Sequence, residues 1–327
     1  MRRNDIELSS AKQYRLEQLW QSENIADSIE FLRAMRNIND IVSFATNRPK
    51  APLKLVKANF HSSNSGYSNN KCVMVVPTTD ASCPLATRLA RAFSPIPIIF
   101  AVSVGEYFNY AYSLNSGIAE ALKYSPERVI ISNDDVIPID DVRELLPLIE
   151  EHRDVDLLVP GNVRNRYHGE TVHLMRRNVF FTAIEFFWAL KNLERIGNKL
   201  GALVLISEMT RSKIVPYVAY DGIRQMTLAS GILKPISKPF VNFADFGIFR
   251  SDVIKVNRFD ETFINGYEDY DLTIRLDQAG NSIQKIGFNI RSLEGISLGR
   301  DWNKRFFHDI FNSIYFSMKH CDDFASC

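Results

Sequence analysis

From Cys72 onward, short apolar runs alternate with segments of helical period, and this constrains the fold more than any other feature of the chain. "CVMVVP" is a continuous apolar run of the kind found in strands buried on both faces. "LATRLARAF" then reads as a helix, "IPIIFAVSV" as a strand, "NYAYSLNSGIAEALKYS" as a helix and "RVIISND" as a strand. "VRELLPLIEEH" and "VDLLVP" repeat the pair. Strands and helices in this order predict an α/β fold, with a mostly parallel sheet covered by flanking helices. Ligands of such sheets bind beyond the carboxyl ends of the strands.

One of those ends is unusual. In "VIISNDDVIP" an apolar strand runs into two adjacent carboxylates, Asp134 and Asp135, preceded by Asn133. Like charges repel, and each loses hydration in a closed site, so a compensating cation is expected. Hard cations take oxygen ligands, and Mg²⁺ completes a shell of one or two carboxylates with substrate phosphates. The plainer alternative is that one of the pair caps the following turn.

A second acidic cluster lies far downstream. In "RFDETFINGYEDYDLTIRLDQAG" the first residues form a turn, and a helix runs from the EDYD segment to a stop at Gly280. Glu268, Asp269 and Asp271 fall in its first turn, where the helix dipole favours anions. Asp271 and Arg275 are spaced to pair along the helix. Ordinary capping would account for the cluster. A carboxylate there could also serve as a general base toward a hydroxyl.

The two segments together resemble the nucleotide-sugar glycosyltransferases of the GT-A fold, in particular glycosyltransferase family 2. The family's helix "A-x-N-x-G-I-x-x-A" is matched by Ala111, Asn115, Gly117, Ile118 and Ala121, and its "N-D-D" by Asn133, Asp134 and Asp135. Its "F-D-E-x-F" and "E-D-x-D-L-x-x-R-x-x-x-x-G" are matched by Phe259–Phe263 and Glu268–Gly280. The opening "VMVVPTTD" is similar to the family's "V-x-x-P-T-Y-N".

The resemblance covers roughly residues 72–300. It implies a Rossmann-like GT-A domain and a metal-dependent, inverting transfer of a sugar to a hydroxyl. Asp269 would be the catalytic base, with Glu268 orienting it or binding the acceptor. Asp135 would hold Mn²⁺ or Mg²⁺. Pro77, Thr78, Thr79, Asn115, Asn133 and Asp134 would line the donor site. The implied partners are a UDP-, GDP- or dTDP-linked sugar and a glycan or glycoconjugate acceptor.

Two positions depart from the family pattern. The second strand offers Val102, Ser103 and Val104 where many members have an Asp that contacts the base, so the nucleobase stays open. Glu294 stands where many members carry a His, as a second metal ligand or as a surface residue. The competing readings are a nucleotidyltransferase and a non-catalytic binding protein of the same fold. "PTTDASCP" lacks the Gly and basic residues that the first of these usually shows after its opening strand.

The remaining features bound the answer more loosely. Residues 1–70 read as a helical N-terminal extension ending in the Ser/Asn-rich loop "HSSNSGYSNNK", residues 71–300 as the main domain, and 301–327 as an amphipathic helix packed on it. A formal net charge of +1 gives no support to a nucleic-acid partner. No apolar run reaches the ~18 residues of a transmembrane helix, and "MRRNDIELSS" lacks a signal-peptide core. Four scattered cysteines fit a reducing compartment. The expectation is a cytoplasmic protein, with peripheral membrane contact and a homodimer left open.

Arg164, Arg166 and His168 read as a solvated loop or as diphosphate ligands. The stripes at Phe180–Trp188 and Phe306–Phe316 read as core, with sugar stacking, membrane contact or a dimer contact as rivals. His308 reads as a packed histidine.

Overall fold

The computed structural model describes residues 9–35, 37–60, 71–161, 170–175, 201, 204–205, 217–219, 240–292 and 302–320. Glu294, the Arg164–His168 loop, the Phe180–Trp188 stripe and the two C-terminal cysteines lie outside them. Elements are numbered among the described residues.

Three helices open the chain: α1 (Ser10–Gln21), α2 (Ile25–Ala34) and α3 (Ile38–Asn47). Ser9, Asn24 and Asn37 cap them, each accepting a main-chain N–H of the first turn. Then follow β1 (Leu53–Ala58), β2 (Cys72–Thr78), α4 (Pro84–Ala92), β3 (Ile98–Ser103), α5 (Tyr110–Ala121), β4 (Arg128–Ser132), β5 (Val136–Pro138), α6 (Val142–Glu151) and β6 (Leu157–Pro160). Three short strands come next: β7 (Glu170–Met175), β8 (Tyr217–Ala219) and β9 (Phe240–Asn242). The chain closes with β10 (Phe246–Arg250), α7 (Ser251–Val256), α8 (Glu268–Gln278), β11 (Ile283–Ile286), β12 (Ile290–Ser292) and α9 (Trp302–His320).

The expected α/β architecture is present as a seven-stranded sheet in the order β1-β3-β2-β4-β10-β6-β11. Strands β2, β3, β4, β6 and β11 share one direction, and β1 and β10 oppose it. Alternate residues of each central strand face opposite layers. Met74 and Val76 of β2 pack with Leu89 of α4, Phe93 just past it and Leu145 of α6. Val73 and Val75 pack with Leu114 and Ile118 of α5, Ile254 of α7 and Leu272 of α8. This double burial explains the near-unbroken apolar runs in the sequence. Gly117 belongs to the same contact, because a Cβ there would strike the Val75 side chain, so only glycine lets α5 lie this close to β2.

The sequence boundary at residue 70 is not a boundary of the sheet. Strand β1, inside the expected extension, pairs antiparallel with β3 from Leu53–Ser103 to Ala58–Ile98. Its half-buried residues are interrupted by exposed Lys54 and Lys57, a pattern that suits an edge strand and gives a weak sequence signal. Helices α1–α3 and α9 share a third apolar cluster, in which Trp20, Phe31, Phe44, Phe307 and Phe311 meet Phe240, Phe263 and Ile274 of the main unit. His308 stacks on Trp20 at 4.1 Å, and burial pushes its pKa down to about 3. Among the described residues, no helix is long and apolar enough to cross a membrane.

Candidate functional site

The carboxyl end of β4 is where distant segments meet. Strand β4 ends at Ser132, and Asn133, Asp134 and Asp135 turn the chain into β5. Strand β10 runs antiparallel to β4 and begins opposite Ser132, so the residue before it, Asp245, faces Asn133. Asn133 N–H donates to the Asp245 carbonyl at 3.1 Å, and its Nδ2 donates to Asp245 Oδ1 at 2.8 Å. Strand β12 pairs with β5 and brings Ser292 to Asp135, where its Oγ donates to Oδ2 at 3.4 Å.

Strand β2 contributes Thr78, whose Oγ1 donates to Asp134 Oδ2 at 2.7 Å. Pro77 is buried in the β2–β3 ladder and Thr79 is exposed just past it. Asp134 and Asp135 are both buried. Burial raises the pKa of Asp134, and the Thr78 bond only partly offsets this.

The N-terminus of α8 reaches the same place by a constrained route. The chain enters the helix through Asn265 (φ 57°) and Tyr267 (φ 71°), both left-handed, a conformation that costs a non-glycine residue about 1 kcal/mol. Asn265 Oδ1 accepts the Tyr110 N–H at 3.0 Å, and Asn109 Nδ2 donates to the carbonyls of Glu261 and Phe263 at 3.1 and 3.2 Å. The start of α5 thereby fixes the segment that delivers Glu268 and Asp269.

Tyr110 shows the convergence directly. Its hydroxyl donates to Asn133 Oδ1 at 2.6 Å. Its pKa stands well above the ordinary value, first through burial, then through the charges of Asp245, Glu268, Asp269 and Asp135. One phenol therefore senses carboxylates from the β4 end, the β9–β10 turn and the α8 N-terminus. Burial carries Glu268 up to about 7, and its Oε1 has no hydrogen-bond partner among the described residues. Burial also raises Asp269, partly opposed by a 2.7 Å bond to its Oδ2 from Asn242 Nδ2. Carboxylates raised in this way at a helix N-terminus are suited to accepting protons, and Glu268 does so near neutral pH.

The structure thus gathers Thr78, Asn133, Asp134, Asp135, Glu268 and Asp269. Asn115 is engaged elsewhere. Its Nδ2 donates to the Phe259 carbonyl and Glu261 Oε1 at 2.9 and 3.0 Å, and its Oδ1 accepts the Phe259 N–H at 3.0 Å. Both ends of that amide brace the turn before α8. Asp271 and Arg275 form the expected pair at 2.9 Å. Tyr110, Asn242, Asp245 and Ser292 were not legible in sequence. Tyr110 is the first residue of α5, capped by Asn109, and Asn242, Asp245 and Ser292 lie on or beside β9, β10 and β12.

Among the described residues, no three His, Cys, Asp or Glu side chains gather closely enough to cage a metal ion. A site completed by substrate oxygens asks for less, one or two carboxylates at an accessible strand end. Asp135, with Asp134 beside it, suits that kind of site.

No protein-family model matches the chain, and no curated protein matches it. Among solved structures it is similar to the crystal structure of A197 from STIV, at 9% identity and a TM-score of 0.35, over 69% of this chain and 86% of that one. A likeness this slight carries no argument about fold family or activity.

Proposed function

We propose that the protein is a metal-dependent, inverting glycosyltransferase of the GT-A type, moving a sugar from a nucleotide donor to a hydroxyl of a glycan or glycoconjugate. One observation carries the reading: Tyr110, bonded to Asn133, feels the strand-end carboxylate Asp135 and the helix-start carboxylates Glu268 and Asp269 together. The resemblance to family 2 rests on these same two segments, which lie more than a hundred residues apart in sequence.

Asp135 is the residue suited to hold Mn²⁺ or Mg²⁺ through substrate oxygens, and a cation there would supply stabilisation of the leaving diphosphate. Asp269 accepts the proton of the acceptor hydroxyl as the new bond forms, because its raised pKa brings it toward working pH. Glu268, buried and raised to about 7, orients the acceptor through Oε1. Thr78 holds Asp134 and Asn133 ties the strand end to Tyr110 and Asp245, so the donor side is ordered before substrate arrives.

The test is release of nucleoside diphosphate from a panel of UDP-, GDP- and dTDP-sugars, with and without Mn²⁺. Metal-dependent release supports the reading. If no donor is turned over or bound, the fold serves binding alone; pyrophosphate release from sugar phosphate and nucleoside triphosphate would make it a nucleotidyltransferase.

A further inference from the structure

Asn242 is 1% exposed, lies at the end of a three-residue strand, and places its side chain against the carboxylate proposed as base. Its Nδ2 donates to Asp269 Oδ2 at 2.7 Å. Its own Oδ1 lies 3.1 Å from the hydroxyl of Thr273, which is fully buried one helical turn after Asp269 and also donates to the Asp269 carbonyl at 2.7 Å. The amide can satisfy both neighbours in one orientation only. Turned over, it would set its oxygen against the carboxylate, acceptor against acceptor, so the contact with Asp269 fixes the orientation and leaves Oδ1 to share the Thr273 proton with the Asp269 carbonyl.

From this geometry we infer that Asn242, held by Thr273, is the positioning residue of Asp269: it occupies Oδ2 and leaves Oδ1 as the oxygen that receives the proton. The inference rests on the glycosyltransfer reading for the proton's origin, though not for the contact itself.

The neutrality of Asn242 matters. A Lys or Arg in its place would neutralise the carboxylate and depress its basicity, as cations do for Asp271 two residues on. An amide orients the base and favours its charged form modestly, without a full opposing charge. Glu268 on its own helix and Tyr110 of α5 interact electrostatically with Asp269, and both are acids. Neither supplies an opposing charge, and the side chain that donates to the carboxylate is the neutral amide of Asn242.

The experiment combines a pH profile with a substrate-free titration. In Asn242→Ala the acidic limb of the kcat/KM profile should move up by about one pH unit, since a hydrogen bond to the charged form is lost. At pH 7, kcat should fall about tenfold with KM changed far less. Thr273→Val, of the same shape, should move the limb in the same direction by a smaller amount, which covers the case in which the alanine variant does not fold. In an Asp269→Asn background, Asn242→Ala should cost nothing further. Equal losses in both backgrounds would mean a merely structural role and overturn the inference.

The Asp269 carboxyl is also followed by carbon-13 NMR in the wild type and in Asn242→Ala. An upward shift in a protein that turns over no donor supports the positioning and sinks the transferase. An unshifted titration overturns the positioning whatever the activity.

Discussion

Helix α8 carries Glu268, Asp269 and Asp271 in its first turn, and the first two live in surroundings opposite to those of the third. Glu268 and Asp269 face other acids, and burial raises both. Asp271, no more exposed, meets Arg275 at 2.9 Å, Lys319 at 2.6 Å and His320 at 2.8 Å. Burial alone would raise it too, but His320 and the charges of Lys319 and Arg275 prevail and hold it at about 2. Asp260 belongs with Asp271, since Lys319 and the Tyr315 hydroxyl both reach its Oδ2. One side of the helix is tied to α9 by completed ion pairs, and the other keeps carboxylates whose charge is only partly compensated by protein. The first arrangement stabilises a fold, whereas the second costs stability and suits chemistry.

The largest expected break in this contrast is Asp269→Asn. Loss of a general base lowers turnover by about 10²–10⁴-fold, and the variant should fold as the wild type does. Donor turnover and a thermal melt measured together check both halves, and full activity would remove Asp269 from its role.

Asp271→Asn should do the reverse. Arg275, Lys319 and His320 would lose a buried partner, costing about 3 kcal/mol in a urea titration at pH 7, with turnover per folded molecule within a few-fold of wild type. An unchanged midpoint would show that the tie to α9 contributes little.

A smaller effect, of up to about 2–3 kcal/mol, separates the two sides by pH. Glu268 is raised from 4.5 to about 7, so the folded state holds its proton more tightly. Its contribution is present below the unfolded value and is lost as pH rises through about 7. Asp271 is lowered from 3.8 to about 2, so its contribution is present above the unfolded value and is lost as pH falls toward 2. Stability measured from pH 5 to 8 should decline less steeply in Glu268→Gln than in the wild type, and the loss below pH 4 should remain. Parallel curves between pH 5 and 8 would mean that water reaches Glu268 and holds it near its ordinary value.

The layered α/β architecture was legible because strands buried on both faces need apolar interiors, as β2, β3 and β4 have between their ends. The edge strand β1 was not, since half-buried residues interrupted by lysine read equally well as a polar linker. The placement of Asp135 after β4 and of Asp269 at the start of α8 was legible, because adjacent carboxylates at a strand end or a helix start are costly and so conspicuous. Asn115 fits the same family pattern, yet its amide braces the Phe259–Glu261 turn.

By itself the amino-acid order determined which segments are buried on two faces, where helices start and stop, and which acids sit at element ends. These follow from local spacing and capping. Only the tertiary structure decided that β10 runs against β4 and delivers Asp245, that β9 sets Asn242 on Asp269, and that α9 neutralises Asp271 and leaves Glu268 alone. Those partners come from segments tens to more than a hundred residues away, and the electrostatic fate of a carboxylate depends on what stands within a few ångströms of it.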